Sequence, residues 1–270
     1  MKDIVENRSR ISLARKFNLA ALALKENGVW WCLLLLTYYL ASTVSHRAFA
    51  SMDRIRRTRN IPGMNSAALN KEIWEAWNWS AAGDEWNQSN EWKESLVRCV
   101  LQRRLPADCS ILEIGPGAGR WTEYLLQRAK QYVGIDISST CVAHCRRRFA
   151  NDSRATFSVG SGSDLAGVAS SAIDAIWSFD VFVHINRDEV EGYMRDFARV
   201  LRPGGVAVVH HGSLGGAGGG WRSNLTGAAM QEIVRRYHLV PDESLTYWVD
   251  GEIVHQLVYG DVITVIRKPA

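Results

Sequence analysis

The sequence predicts a doubly wound α/β fold, with a mostly parallel sheet and an N-terminal helical extension. Three observations predict it. Apolar runs over 110–114, 131–138, 155–159, 173–180 and 205–210 alternate with stretches of helical spacing. The first run ends in the glycine-rich turn Gly115-Pro-Gly-Ala-Gly119, and the second carries an acidic residue, Asp136, near its end. The chain has 270 residues, enough for one such domain and an appendage.

The appendage comes first. Residues 1–63 hold 11 Lys/Arg against 4 Asp/Glu, whereas 64–270 hold 21 against 24. The body is therefore mildly acidic and lacks the basic stripe that follows a phosphate backbone, so no nucleic-acid partner is expected. Within the basic segment, residues 28–45 (GVWWCLLLLTYYLASTVS) are uncharged and are flanked on both sides by arginines. A spanning helix needs about 20 apolar residues, and Thr37, Ser42 and Thr43 dilute this one. It lacks the small-x-small site of a cleavable leader. Trp30, Trp31, Tyr38 and Tyr39 are types that favour membrane interfaces. Three readings stand open: a helix at the inner face of the membrane, a soluble helix packing on the body or on a second copy in a homodimer, and a single span. Five cysteines without framework spacing fit reduced thiols in a cytoplasmic protein.

Ile61-Pro-Gly-Met-Asn-Ser66 punctuates the chain before a Trp-rich stretch over 64–92 that contains Trp74, Trp77, Trp79, Trp86 and Trp92. Either these indoles pack a cap onto the main domain, or Trp86 and its neighbours wall a ligand site, where an indole face attracts a cation. The main domain spans 93–270. Its first strand runs into the glycine turn, where the backbone bends sharply and the following helix offers unpaired N–H groups. Asp136 is placed to accept both hydroxyls of a ribose. Beyond 228–239, a helix, the runs 245–249 and 262–266 predict strands, with Asp250-Gly251 a hairpin turn.

Taken in order, LEIGPGAGRW, VGIDIS, IDAIWSFDVFVHI and FARVLRPGG resemble the class I S-adenosylmethionine (SAM)-dependent methyltransferases over roughly residues 90–268. The resemblance implies a seven-stranded Rossmann-like sheet whose last strand inserts antiparallel, and SAM as cofactor. It implies that Glu113, Gly115, Gly117 and Gly119 form the SAM loop, that Asp136 holds the ribose and that Ile137 flanks the adenine. Many relatives carry an Asp where this chain has Ser161, so Gly162 or Asp164 is expected to hold the adenine amino group.

The run Val209-His-His-Gly-Ser-Leu-Gly-Gly-Ala-Gly-Gly-Gly-Trp-Arg222 follows the fifth strand, so it is not the nucleotide cradle. Its glycines suit a mobile loop on the acceptor side. Neutral imidazole accepts a proton near neutral pH, which makes His211 the expected general base, with His184 and Asp180 as further catalytic candidates. Neighbouring strand residues face opposite ways, so His210 has a different role from His211. His210, Arg222 and Trp86 are the expected acceptor contacts, with Arg222 gripping a carboxylate, phosphate or sugar hydroxyl. The bland alternatives are a His184 that ties its loop and an Arg222 in solvent. No metal is expected, because no ligand spacing demands one.

The expected function is O-methylation of a small molecule or a lipid- or carrier-linked sugar. N- or C-methylation is the nearest alternative, although the Asn/Asp-Pro-Pro-Tyr/Phe pattern used on amino groups of bases is absent after the fourth strand. A non-catalytic SAM-binding scaffold at the membrane is the alternative from another class.

Overall fold

The computed structural model describes residues 12–216 and 222–270. The chain divides into two compact units, Met1–Ile61 and Pro62–Ala270.

The described residues of the first unit are helical over α1 (Leu13–Arg59), two helical stretches joined across a kink at Gly28, capped by the Ser12 side chain and closed by Asn60 in the left-handed conformation. Gly28 breaks its regularity with φ 79° and ψ 170°, at the first residue of the uncharged run. The polar residues that dilute the run are satisfied inside the helix. Thr37 donates to the Leu33 carbonyl at 2.9 Å and Thr43 to the Tyr39 carbonyl at 2.8 Å. Trp30, Leu34, Leu40 and Val44 are exposed, and the helix is long and apolar enough to cross a membrane.

The second unit starts with a short helix, α2 (Ala67–Ala76), then α3 (Asn90–Leu96), extended by a wide turn over Val97–Leu101. The sheet follows: β1 (Cys109–Ile114), β2 (Ala129–Asp136), β3 (Ala155–Val159), β4 (Ile173–Phe182) and β5 (Leu201–Gly212). Between them run α4 (Thr122–Leu126), α5 (Ser139–Arg148) and α6 (Arg187–Val200), and α7 (Gly227–Arg236) precedes β6 (Val240–Leu245). A hairpin, β7 (Tyr247–Asp250) and β8 (Ile253–Gln256), comes before the last strand, β9 (Asp261–Arg267).

The seven-stranded order is β3-β2-β1-β4-β5-β9-β6, with β9 antiparallel to both neighbours and the other contacts parallel. Strand alternation feeds two cores. Ile111 and Trp177 join one face, and Leu112 and Ile176 join the other. Between β1 and β4 the chain winds outward in both directions, and ligands of such sheets settle in the crevice at the carboxyl ends there.

The C-terminal strands correct the expectation. Asp250-Gly251 does turn a hairpin, with Gly251 at φ 62°, but its second strand is β8 and not 262–266. The sheet partner of β9 is Val240–Leu245, a polar stretch containing Pro241. An edge strand covered on one side tolerates such residues, and its burial alternates accordingly. An apolar-run criterion passes over it.

Candidate active site

The glycine turn lies at the end of β1 and its geometry leaves no room for side chains. Gly115 has φ +69°, and a Cβ there would stand 2.3 Å from Val181 Cγ2. Gly117 has φ +57°, and a Cβ there would stand 2.9 Å from the Trp79 ring. Both line a cleft enclosing about 940 Å3 of empty space, open solvent at its mouth included. Gly119 lies outside the cleft wall and packs against Phe149 instead.

Asp136 ends β2 inside the same cleft. One carboxylate oxygen accepts the Gly117 N–H at 3.0 Å and the other the Ser138 N–H at 2.9 Å, so the acid fixes the glycine turn and still faces the opening. Burial raises its pKa against the pull of those N–H groups. Ile137 and Gly162 join the wall, and a Cβ at 162 would meet Ile137 Cδ1 at 2.5 Å.

Two more expected SAM residues, like Gly119, lie outside the cleft wall. Asp164 accepts the Ala166 N–H at 3.1 Å, turning its carboxylate into its own loop and out of the cleft wall. Glu113 is buried beneath the turn, where it accepts from Thr122 Oγ1 at 2.7 Å and Tyr132 Oη at 2.5 Å. Burial pushes its pKa up to about 7. Its part is to brace β1 against β2.

The Trp-rich stretch belongs to this unit and walls the cleft with Trp74, Trp79 and Trp86, whose ring centroids stand 5.7–6.1 Å apart. The packing and pocket-wall readings thus coincide. The stretch is tied down by polar contacts. Glu75 accepts the Ser139 N–H at 2.7 Å and the Thr140 N–H at 3.1 Å, capping α5, and these bonds with the Thr140 hydroxyl hold its pKa near 2. Asn65 and Asn70 donate to the His184 carbonyl at 3.2 and 3.0 Å.

His184 and Asp180 both reach the cleft wall, as expected for catalytic candidates. His184 packs edge-on to Trp74 at 5.3 Å. Asp180 sits on an irregular stretch of β4, where pairing with β5 shifts register between Ser178 and Phe182, and its own φ is +62°. That bulge aims the carboxylate at the opening.

His211 does not reach the cleft. It is fully buried, with Nδ1 donating to the Gly212 carbonyl at 2.9 Å and Nε2 accepting from Thr264 Oγ1 at 2.8 Å. Burial lowers its pKa to about 4. The expected base is therefore a structural residue, because strand alternation turns it into the sheet's interior side. His210 also lies off the wall: it is buried and stacked on Phe179 at 4.2 Å. Arg222 is paired with Asp261 and lies over the Tyr259 ring at 5.0 Å, so its guanidinium is engaged inside the protein. The expected mobile loop falls partly on 217–221, outside the described residues.

Arg120 is the chief residue that motif reasoning passed over. It lines the cleft, is only 5% exposed, ion-pairs with Asp180 and donates to the Gly83 carbonyl at 3.1 Å. Its guanidinium stands 4.8 Å from the Trp121 ring. Its signal was its place directly after the glycine turn. Glu189 and Tyr193, one helical turn apart on α6, also line the cleft. Among the described residues no group of acids, histidines and cysteines is arranged to hold a metal.

Residues 111–205 match the family described as "Methyltransferase domain". The chain is 30% identical over 113 residues to a probable S-adenosylmethionine-dependent methyltransferase of Mycolicibacterium smegmatis, covering 41% of this chain and 42% of that protein. It is 33% identical over 122 residues to a demethylmenaquinone methyltransferase of Tropheryma whipplei, covering 45% and 48%. The chain thus spans less than half the length of these curated relatives. Among solved structures it is similar to a chain of the complex between the Haloferax volcanii Trm112 methyltransferase activator and a putative methyltransferase. That match has a TM-score of 0.56 and 19% identity, and covers 73% of this chain and 98% of that one. The sheet order, the glycine turn with Asp136 and these matches define a SAM-dependent methyltransferase domain. The similarity is to a methyltransferase domain over residues 111–205, and the sheet around them shares the fold of that solved structure.

Proposed function

We propose that the protein transfers a methyl group from SAM to an oxygen of a small or lipid-linked acceptor, with His184 as the general base. The observation that carries this is a single cleft in which Gly115, Gly117, Asp136 and Ile137 meet His184 and three indoles. The residues fit SAM. The glycine turn brings backbone without side chains to the cleft wall, and Asp136 offers a buried carboxylate at the end of the neighbouring strand, hydrogen-bonded to that turn. When bound, SAM supplies a methyl group made electrophilic by its sulfonium.

This chain's residues then have separable tasks. Asp136 holds the ribose hydroxyls, and Ile137 with Gly162 forms the adenine wall. Trp74, Trp79 and Trp86 exclude water and hold an apolar acceptor against the turn. His184 takes the acceptor's hydroxyl proton as the oxygen–methyl bond forms and the sulfur–methyl bond breaks. Alignment of oxygen, carbon and sulfur provides most of the acceleration. Asp180 makes a poor base, because Arg120 and His210 outweigh its burial and hold its pKa far below the usual carboxylate range.

The exposed apolar face of α1, with Arg54, Arg56, Arg57 and Arg59 at its end, supports contact with the anionic inner face of a membrane. A lipid-linked acceptor would be presented there. The test incubates the full chain with methyl-labelled SAM and separated lipid, soluble, glycan and protein fractions of its native cells. Label in the lipid or lipid-linked glycan fraction is expected, stable to mild base and released as methyl iodide by hydriodic acid. Label on nitrogen or carbon overturns O-methylation, and SAM binding without transfer to any fraction overturns the enzymatic reading.

A further inference from the structure

Five charged or ionisable side chains form one continuous chain through the body: Arg120, Asp180, His210, Asp261 and Arg222. Arg120 pairs with Asp180, and Arg222 pairs with Asp261. His210 lies between the two acids, its Nδ1 3.1 Å from Asp180 Oδ1 and its Nε2 3.4 Å from Asp261 Oδ2. The side chains of His210 and Asp261 are only 4% and 3% exposed. One end of the chain, Arg120 with Asp180, lines the cleft.

The contacts at His210 Nδ1 conflict in an informative way. That nitrogen accepts the Asp180 backbone N–H at 3.1 Å, so it carries a lone pair and the ring is the neutral Nε2–H tautomer. The Asp180 carboxylate oxygen at the same distance then faces a lone pair, with no proton to share. A proton on Nδ1 would reverse both contacts, repelling the peptide N–H and binding the carboxylate. Nε2, meanwhile, is buried without a hydrogen-bond partner, as is Asp261 Oδ1 beside it. Buried polar atoms left unpaired mark a site built for more than one state.

We infer that His210 is the positioning residue for Asp180: protonated on Nδ1 it donates to Oδ1 and holds the carboxylate, and neutral it offers Oδ1 no proton and leaves that oxygen free to turn to the cleft. Arg120 grips Oδ2 in both states, so one oxygen changes partner while the other stays. The left-handed backbone at Asp180 lets the residue's own N–H and carboxylate compete for one ring nitrogen. The groups facing the imidazole are Asp180 from β4 and Asp261 from β9, with His211 next to it on β5 and Phe179 stacked on its face. Burial lowers its proton affinity, but the two aspartate carboxylates beside the ring outweigh this, and its pKa lies above the ordinary value. The proton is thus exchanged on the alkaline side of a free histidine, and in the methyl-transfer reading the cleft gains a free carboxylate oxygen as pH rises.

The consequence for turnover rests on the proposed methyl transfer, but the switch itself does not, and nuclear magnetic resonance reads it directly. The full chain, 15N-labelled at histidine, is titrated with pH, and His210→Asn identifies the signal by its loss. Asn keeps an acceptor for the Asp180 N–H. The expected result is a neutral ring protonated on Nε2, taking its second proton on Nδ1 with a midpoint above about 6.5. Asp180→Asn should lower that midpoint by about one pH unit or more, since an adjacent opposite charge is worth that much. If His210→Asn fails to fold, Asp180→Asn identifies the signal by its shift. A neutral ring protonated on Nδ1, or a midpoint that Asp180→Asn leaves in place, overturns the inference whether or not the protein transfers methyl groups.

Discussion

The indole of Trp79 rests on the glycine turn at Gly117, so closely that a methyl group at 117 would stand 2.9 Å from the ring. The Trp-rich stretch and the glycine turn therefore form one wall, and the two are expected to respond to mutation together.

Gly117→Ala adds a Cβ in a left-handed conformation and against that ring. A left-handed non-glycine residue costs about 1–2 kcal/mol, and displacing the loop should weaken SAM binding by about tenfold or more. Trp79→Ala in the same chain should recover part of the lost stability, but not the backbone strain. Denaturant titration of the two single variants and the double variant measures the coupling. Strictly additive effects would show that the ring and the turn are independent.

His184 and His211 should part company. His184→Gln should lower kcat by about 100-fold or more with SAM affinity unchanged. His211→Gln should leave the chemistry in place and act on stability. The folded pKa of His211, about 4, lies below the ordinary 6.5, so the unfolded chain binds the extra proton. Wild-type stability relative to His211→Gln should therefore fall by roughly 3 kcal/mol as pH drops from 6.5 to 4. Denaturation midpoints across that range, set beside single-turnover rates, check both halves.

Glu113 should give the opposite slope. Its folded pKa of about 7 lies above the ordinary carboxyl value, so the folded chain keeps the proton longer than the unfolded one. The stability this contributes is present below about pH 4.5 and is lost as pH rises toward 7, by roughly 3 kcal/mol. Glu113→Gln has no proton to lose and should overtake the wild type across that window. Parallel stability curves for the two proteins would rule out a protonated Glu113 in the folded state.

Much of the fold was legible because its central strands are buried on both faces and read as apolar runs, as at Ile111–Ile114 and Ile173–Phe179. The glycine-turn side of the cleft was legible for a different reason. Gly115, Gly117 and Asp136 are demanded by backbone geometry and by a hydroxyl acceptor at a strand end, and both leave marks in sequence. Polar edge strand Val240–Leu245 leaves no such mark. The acceptor side was harder to read. Whether His184 or His211 faces the cleft depends on which side of a strand or loop each ends up on, and the two extra residues that β4 carries around Asp180 change that for its neighbours. Arg120 and Trp79 act through contacts across 37 residues or more in sequence, Gly83 to Arg120 and Trp79 to Gly117 among them, which no local pattern encodes.

The central claim is that this cleft takes SAM through Asp136, and calorimetric titration of SAM into the full chain tests it most directly. The account predicts saturable one-to-one binding that Asp136→Asn weakens by about tenfold or more, since hydrogen bonds to a charged group contribute about 1.5–3 kcal/mol. SAM binding that Asp136→Asn leaves unchanged, or no binding at all by the folded wild-type chain, would contradict it.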